Sequence, residues 1–249
     1  MARLARVAPV GVPVHVYQRG NNHQAVFADE SDFVAYLGWL IEYSKKYGVD
    51  IHAWCLMTNH IHLLCTPRLE GGISKMLQSV NRHYVRYFNY QYQRTGTLWE
   101  GRYKSCLIQE DAYLLDLYRY IEMNPVTADM VQEPSEYPWS SYQINALGKT
   151  STLCTPHPLY SALGKDAVQR QQVYRDLFKA HVLDAQLIED IELATNKGLA
   201  LGNDRFKAQI ELLTGRRVVS KKVGRPVGWR KTKVDKADKI EKSDNESDD

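Results

Sequence analysis

The chain has 249 residues, 44% hydrophobic and 24% charged, with 4 cysteines and a formal net charge of +3; this length carries one large domain, or one domain and a small second one, around a true core. Cys55, Cys65, Cys106 and Cys154 form no C-x-x-C pair and are too sparse for a disulfide scaffold, which points to a reducing, cytoplasmic setting. No stretch approaches the ~20 apolar residues of a membrane span, and MARLARVAPV at the start is too short for the apolar part of a signal peptide, so neither a membrane anchor nor secretion is expected.

Residues 12–20 (VPVHVYQRG) are rich in β-formers and run into Gly20-Asn21-Asn22, a strand ending in a turn. Over 30–47, Phe33, Leu37, Leu40 and Ile41 recur at helical spacing, and Gly48 supplies the stop. Residues 49–59 and 60–67 read as two strands, paired as a hairpin near Thr58-Asn59. Residues 73–93 predict a long helix with Ile73, Met76, Leu77, Val80, Tyr84, Tyr87 and Phe88 on one stripe, broken by Gly96. Residues 97–109 read as a loop into a strand, and 110–123 as a helix stopped at Asn124-Pro125, because proline disfavours the α region before it. The order β-α-β-β-α-β-α predicts an α+β fold, a ferredoxin-like or RRM-like antiparallel sheet with helices on one face. Beyond Pro138-Trp139 the β signals fade. Residues 158–181, 183–195 and 203–214 are amphipathic and predict a helical extension, and from Arg216 onward the polar, charged composition predicts a disordered tail.

The small net charge is a cancellation. Residues 73–104 carry Lys75, Arg82, Arg86, Arg94, Arg102 and Lys104 against Glu100 alone, and 216–233 hold eight bases and no acid, whereas 105–215 hold 9 bases against 15 acids. Two positive zones in a near-neutral chain suit a polyanionic partner, although a solvated charged face has the same composition. Over 81–104 the bases interleave with Tyr84, Tyr87, Phe88, Tyr90, Tyr92, Trp99 and Tyr103. Single-stranded bases stack on such rings for ~1–3 kcal/mol each while cations follow the phosphates. Because Tyr84, Tyr87 and Phe88 fall on the apolar stripe, the expected DNA contacts are Arg86, Arg94, Trp99, Arg102 and Lys104, with Arg82 beside them. In the tail, Gly224-Arg225-Pro226 among lysines and arginines resembles the core of an AT-hook, which would place Arg225 in the minor groove of A·T-rich duplex DNA; a plain basic linker reads the same way.

His60-Ile61-His62 lies in a predicted strand, where alternate residues share a face, so both imidazoles project together. They form half of a divalent-metal site or simply a polar face. Tyr120 and Asn124 are four residues apart on one helix face. A tyrosine hydroxyl can serve as a nucleophile and an asparagine oxygen as a ligand for a hard cation; equally, Tyr120 packs in the core and Asn124 only ends the helix.

LMTNHIHLL (56–64), GTLWEGRYKS (96–105), YIEMNPVTADMV (120–131) and EYPWSSY (136–142) occur in that order. Together they resemble the REP-associated tyrosine transposases, the single-tyrosine branch of the HUH endonucleases, related to the transposases of small bacterial insertion sequences. The resemblance spans about residues 10–145. It implies that 1–147 is the catalytic domain; beyond it the chain departs from the shortest members of that family, with the amphipathic pattern and charge giving a helical extension at 148–215 and a basic, then acidic tail at 216–249. It further implies that His60 and His62 hold Mg2+ or Mn2+, that Asn124 is a third, amide-type ligand where relatives use glutamine, and that Tyr120 is the nucleophile. The rival Tyr118, two residues before Tyr120, points about 160° away from it on the helix. The implied activity is nicking and rejoining of single-stranded DNA at hairpin-forming palindromic repeats through a 5′-phosphotyrosine, with 15–22 and 81–104 as guide-sequence contacts. The implied setting is the bacterial cytoplasm or nucleoid, for a monomer or homodimer. A catalytically inactive nucleic-acid binder of the same fold is the alternative.

Overall fold

In the computed structural model, residues 6–180 and 184–219 are described. β1 (Val14–Arg19), α1 (Glu30–Lys46), β2 (Val49–Met57), β3 (His60–Pro67), α2 (Gly72–Gln91) and β4 (Lys104–Ile108) follow one another as the periodicity predicts. With a short fifth strand, β5 (Ala200–Leu201), the strand order is β2-β3-β1-β4-β5, and β1 lies between β3 and β4, antiparallel to both. Local chemistry explains the boundaries. At the start of α1 the Asp29 carboxylate accepts from the Ser31 N–H at 3.0 Å while Asp32 accepts from the Asp29 N–H at 3.1 Å, a reciprocal cap of two orphan donors. Gly48, at φ 60, takes the left-handed position just past the helix. Gly20 ends β1 with its N–H donating to Asn59 O at 2.8 Å, in a space so tight that a Cβ would fall 2.3 Å from Gln24 O.

The sheet is apolar on both sides, and this decides where the helices go. Val14, Val16, Ile61, Leu63, Cys65 and Leu107 face α1 and α2, meeting Phe33, Tyr36, Leu40, Met76, Val80 and Tyr84. Cys55, Leu64, Cys106 and Ile108 turn the other way and pack on α3 (Glu110–Glu122) through Leu114, Leu117 and Ile121. The α+β class and the antiparallel core are therefore as predicted, but the expectation of helices on one face holds only for α1 and α2. A second apolar face must also leave water, and α3 with the later helices covers it.

The chain continues through three single-turn helices, α4 (Asn124–Thr127), α5 (Tyr142–Asn145) and α6 (Pro158–Ser161), and then α7 (Ala167–Ala180), α8 (Ala185–Lys197), β5 (Ala200–Leu201) and α9 (Asp204–Thr214). The helix predicted over 158–181 is thus interrupted between Ser161 and Ala167. Nor is the segment from 148 an appendage. β5 pairs parallel with β4 through Leu107↔Ala200 and Ile108↔Leu201, α8 lies along β4, and both belong to one compact unit that ends at Val219. Covering the β4 edge satisfies backbone groups that a bare edge would expose. Order also persists past Arg216, where disorder was expected: Val218 is buried, its O accepts from Ala200 N–H at 3.0 Å and its N–H donates to Glu211 Oε1 at 2.8 Å. Residues 220–249, with Arg225 and the AT-hook-like core, lie outside the described residues. Among the described residues no helix is long and apolar enough to cross a membrane.

Candidate active site

The pairing of β1 with β3 sets Tyr17 opposite His62 and Arg19 opposite His60, so His15, Tyr17, His60 and His62 share the face that looks toward the end of α3. There the residues predicted from sequence converge. The His60 and His62 ring centroids are 5.0 Å apart at 79°, and the Tyr120 ring lies 5.6 Å from His62 at 83°. α3 does not stop as sharply as Asn124-Pro125 predicts. Pro125 lies in the first turn of α4, where its missing N–H costs nothing. Asn124 Nδ2 folds back to donate to Tyr120 O at 2.7 Å. The Asn124 side chain also hydrogen-bonds His60.

Burial governs the charges. It pushes His60 down to about 4, with Arg19 adding to the fall and the Asn124 hydrogen bond opposing it. Burial also holds His62 well below the ordinary histidine range and brings His15 down to about 3. The three imidazoles are therefore neutral at physiological pH and keep lone pairs. Tyr120 is half-buried, and desolvation, followed by Glu192, Tyr17 and Cys106, pushes its hydroxyl up, so it rests protonated.

Two further histidine contacts fix the rings. His60 Nδ1 is 2.6 Å from Asn59 Oδ1, and His62 Nδ1 is 2.9 Å from His15 Nε2, with the His15 and His62 rings stacked at 7°. His15 fell within the 15–22 segment expected to touch DNA, yet it is 1% exposed and serves His62 from inside. Strand alternation, His15-x-Tyr17-x-Arg19 on the face of His60 and His62, is the sequence signal that could have placed it. Its other partner, Thr195, lies 180 residues away along the chain and left no such signal.

The remaining candidates divide. Tyr118 is fully buried, its ring 6.0 Å from Tyr160 and 6.1 Å from Tyr174, away from the histidines. Arg82 and Arg86 are exposed on α2, across the sheet from His60 and His62. Arg94 donates to Gln24 Oε1 at 2.8 Å and lies 5.5 Å from the Phe88 ring centroid. Trp99 requires correction: it is 7% exposed, its ring 6.2 Å from Tyr36 and 6.3 Å from Tyr84, so it fills the core rather than offering a stacking surface. Arg102 and Lys104 do stand near the site, lining an open cleft of about 360 Å³ with Tyr17, Arg19, Asn196 and Lys197. Lys104 Nζ donates to Asn196 Oδ1 at 2.9 Å and sits 5.8 Å from the Tyr17 ring centroid, while Arg19 pairs with Glu100 at 2.8 Å. Arg19 lay within the expected 15–22 contact; Asn196 and Lys197 were not evident from sequence.

Behind Tyr120, α3 is anchored by Glu122, which is fully buried and accepts from Ser141 Oγ at 2.5 Å, Asn145 Nδ2 at 2.8 Å and Tyr174 Oη at 2.7 Å. Burial pushes its carboxyl up to about 7 against these three donors. Segment 136–142 is clamped to β2: Tyr137 Oη donates to Leu56 O at 2.6 Å, Leu56 N–H to Trp139 O at 2.9 Å and Trp54 N–H to Ser141 Oγ at 2.9 Å. That is the physical role of the EYPWSSY block.

Among the described residues no three His, Cys, Asp or Glu converge as a metal site, so any cation here would rest on two imidazoles and the Asn124 amide. The protein-family model described as "Transposase IS200 like" matches residues 10–124, a span that contains His60, His62, Tyr120 and Asn124. A curated relative, a putative REP-associated tyrosine transposase of Haemophilus influenzae, is 26% identical over 108 residues, 39% of this chain and 61% of the relative. Among solved structures, one described as a REP-associated tyrosine transposase bound to a REP hairpin has 17% identity and a TM-score of 0.48, covering 63% of this chain and 93% of its own. A putative transposase from Deinococcus radiodurans has 17% identity and a TM-score of 0.34, covering 49% and 96%. The chain thus aligns with less than two thirds of the curated relative's length, and over residues 10–124, the span that holds the paired histidines and the tyrosine, it is similar to the IS200-like transposases.

Proposed function

We propose that the protein is a metal-dependent single-stranded DNA nickase and strand transferase with Tyr120 as nucleophile, acting on hairpin-forming palindromic repeats. The observation that carries this reading is the convergence of His60 and His62, rings 5.0 Å apart, with the Tyr120 ring 5.6 Å from His62 and Asn124 one turn beyond the tyrosine. Hairpin DNA as substrate is supported by the family match and by the curated relative's own description as REP-associated.

The donor set fits Mg2+ or Mn2+. Asn59 and His15 occupy the Nδ1 atoms of His60 and His62, which leaves both Nε2 lone pairs for a cation, and Asn124 Oδ1 adds a hard oxygen donor. With no anionic ligand, the charge of a divalent ion stays largely uncancelled, which suits a site that must also accept a phosphate oxygen. When bound, the ion supplies neutralisation of the charge that grows on the scissile phosphate. Tyr120 Oη loses its proton and bonds to phosphorus as the bond from phosphorus to the 3′-oxygen breaks. That oxygen takes up a proton, giving a 5′-phosphotyrosine and a free 3′-OH. One phosphoester replaces another, so an incoming 3′-OH reverses the step and the enzyme can join as well as cut. Arg19, Lys104 and Lys197 line the adjoining cleft and hold flanking phosphates.

The test is a denaturant-stable protein–DNA adduct formed with Mn2+ and single-stranded hairpin oligonucleotides. Wild type and Tyr118→Phe are expected to form it, and Tyr120→Phe and His60→Ala are not. An adduct that persists in Tyr120→Phe refutes the nucleophile. Binding without any adduct across the host's repeats supports a catalytically inactive binder instead.

A further inference from the structure

Helix α8 reaches the paired histidines through Thr195. Thr195 is 4% exposed, and its Oγ1 lies 2.9 Å from His15 Nδ1 and 3.2 Å from Cys106 Sγ. His15 in turn meets His62, Nε2 to Nδ1, at 2.9 Å. We propose that Thr195 and His15 are positioning residues of the cation site: the series Thr195–His15–His62 fixes the tautomer and orientation of His62, so that α8, which lies outside the 10–124 family match, sets the affinity for Mg2+ or Mn2+. This inference rests on reading His60, His62 and Asn124 as the cation ligands.

Proton counting gives the reason. A neutral imidazole carries one N–H, and the short contact between His62 Nδ1 and His15 Nε2 holds one proton. With that proton on His62, its Nε2 keeps a lone pair for a cation. His15 then accepts at Nε2 and carries its own proton on Nδ1, where a buried N–H needs an acceptor. Thr195 Oγ1 is that acceptor and passes its hydroxyl proton toward Cys106 Sγ. In the reverse wiring Thr195 donates to His15, His15 donates to His62, and His62 is protonated on Nε2, where it cannot bind a cation. A valine at 195 strands the His15 Nδ1–H that the ligating wiring requires and frees the ring to turn; a serine preserves the acceptor. Outer-shell partners of metal-bound histidines act in this way generally.

Mn2+ binding to the full-length protein, followed by the paramagnetic resonance signal of the free ion, tests this without catalysis. Thr195→Val is expected to weaken Mn2+ binding about 10- to 100-fold, whereas Thr195→Ser retains wild-type affinity, with equal melting temperatures for the two variants. Imidazole nitrogen NMR of the Mg2+-saturated wild type is expected to show His15 protonated on Nδ1 and bare on Nε2. Wild-type affinity in Thr195→Val, equal losses in the valine and serine variants, or the opposite His15 tautomer overturns the inference. His60→Ala separates the two readings. If it binds Mn2+ like wild type, the cation site itself is wrong; if it loses Mn2+ while Thr195→Val does not, only the role of Thr195 fails.

Discussion

Tyr174 on α7 donates its hydroxyl to Glu122 Oε2 at 2.7 Å, and both side chains are fully buried. Replacing it by phenylalanine keeps the ring between Tyr118, Tyr160 and Phe178 and removes that one hydrogen bond. Ser141 and Asn145 both donate to Oε1, so Oε2 is left without its donor in a dry interior. A hydrogen bond to an acidic group is worth about 1.5–3 kcal/mol when its partner cannot turn to water. For a domain of this size that corresponds to a fall of roughly 3–12 °C in melting temperature. Thermal unfolding followed by circular dichroism reads it directly. The same variant is expected to slow adduct formation, because Glu122 sits two residues past Tyr120 and holds the end of α3. A Tyr174→Phe variant that melts with wild type would refute the reasoning that α7 is part of the structural support of the site. So would a chain ended at residue 147 with undiminished stability.

Other substitutions test other parts of the structure. Gly20→Ala places a Cβ 2.3 Å from Gln24 O and 2.8 Å from Val26 Cγ1, and the forced backbone shift is expected to cost about 1–3 kcal/mol in urea unfolding. His52 is buried, hydrogen-bonded to Thr155 O at 2.8 Å and Thr66 Oγ1 at 2.9 Å, and burial pushes it down to about 4. Its folded value lies below its unfolded value of about 6.5, so the unfolded chain binds more protons between those limits and stability falls as pH falls through them. The stability difference between wild type and His52→Gln is expected to shrink by about 3 kcal/mol between pH 7.5 and pH 4, and a pH-independent difference would contradict it. Lys104→Gln removes a phosphate contact in the cleft and is expected to lower the salt slope of single-stranded DNA binding by about 1. Arg86→Gln, across the sheet, is expected to leave the slope unchanged, and equal effects from the two would move the DNA path to α2.

The βαββαβ unit was legible because its signals are local: alternation in β1 to β4, an apolar stripe on α2 and glycine stops. His60, His62, Tyr120 and Asn124 were legible through spacing within one strand and one helix, and the register of β1 with β3 together with the direction of α3 brings them together. What remained hidden is long-range. Trp99 looked like a stacking platform because a sequence shows an aromatic beside arginines but not the Tyr36 and Tyr84 rings around it. β5 is two residues long, too short to carry a periodicity, and it is a strand only because the β4 edge receives it. Thr195 reads as one polar residue on an amphipathic helix, and its value comes from His15, which strand alternation places but cannot pair.

The central claim is that Tyr120 carries the DNA. The protein is incubated with Mn2+ and a single-stranded oligonucleotide containing a hairpin repeat, the covalent product is digested with protease and nuclease, and the modified peptide is sequenced by mass spectrometry. The expected result is a nucleotide joined through its 5′-phosphate to Tyr120 in the peptide containing YIEMNP. A nucleotide on Tyr118 or any other residue, or an adduct formed equally well by His60→Ala, would contradict the account.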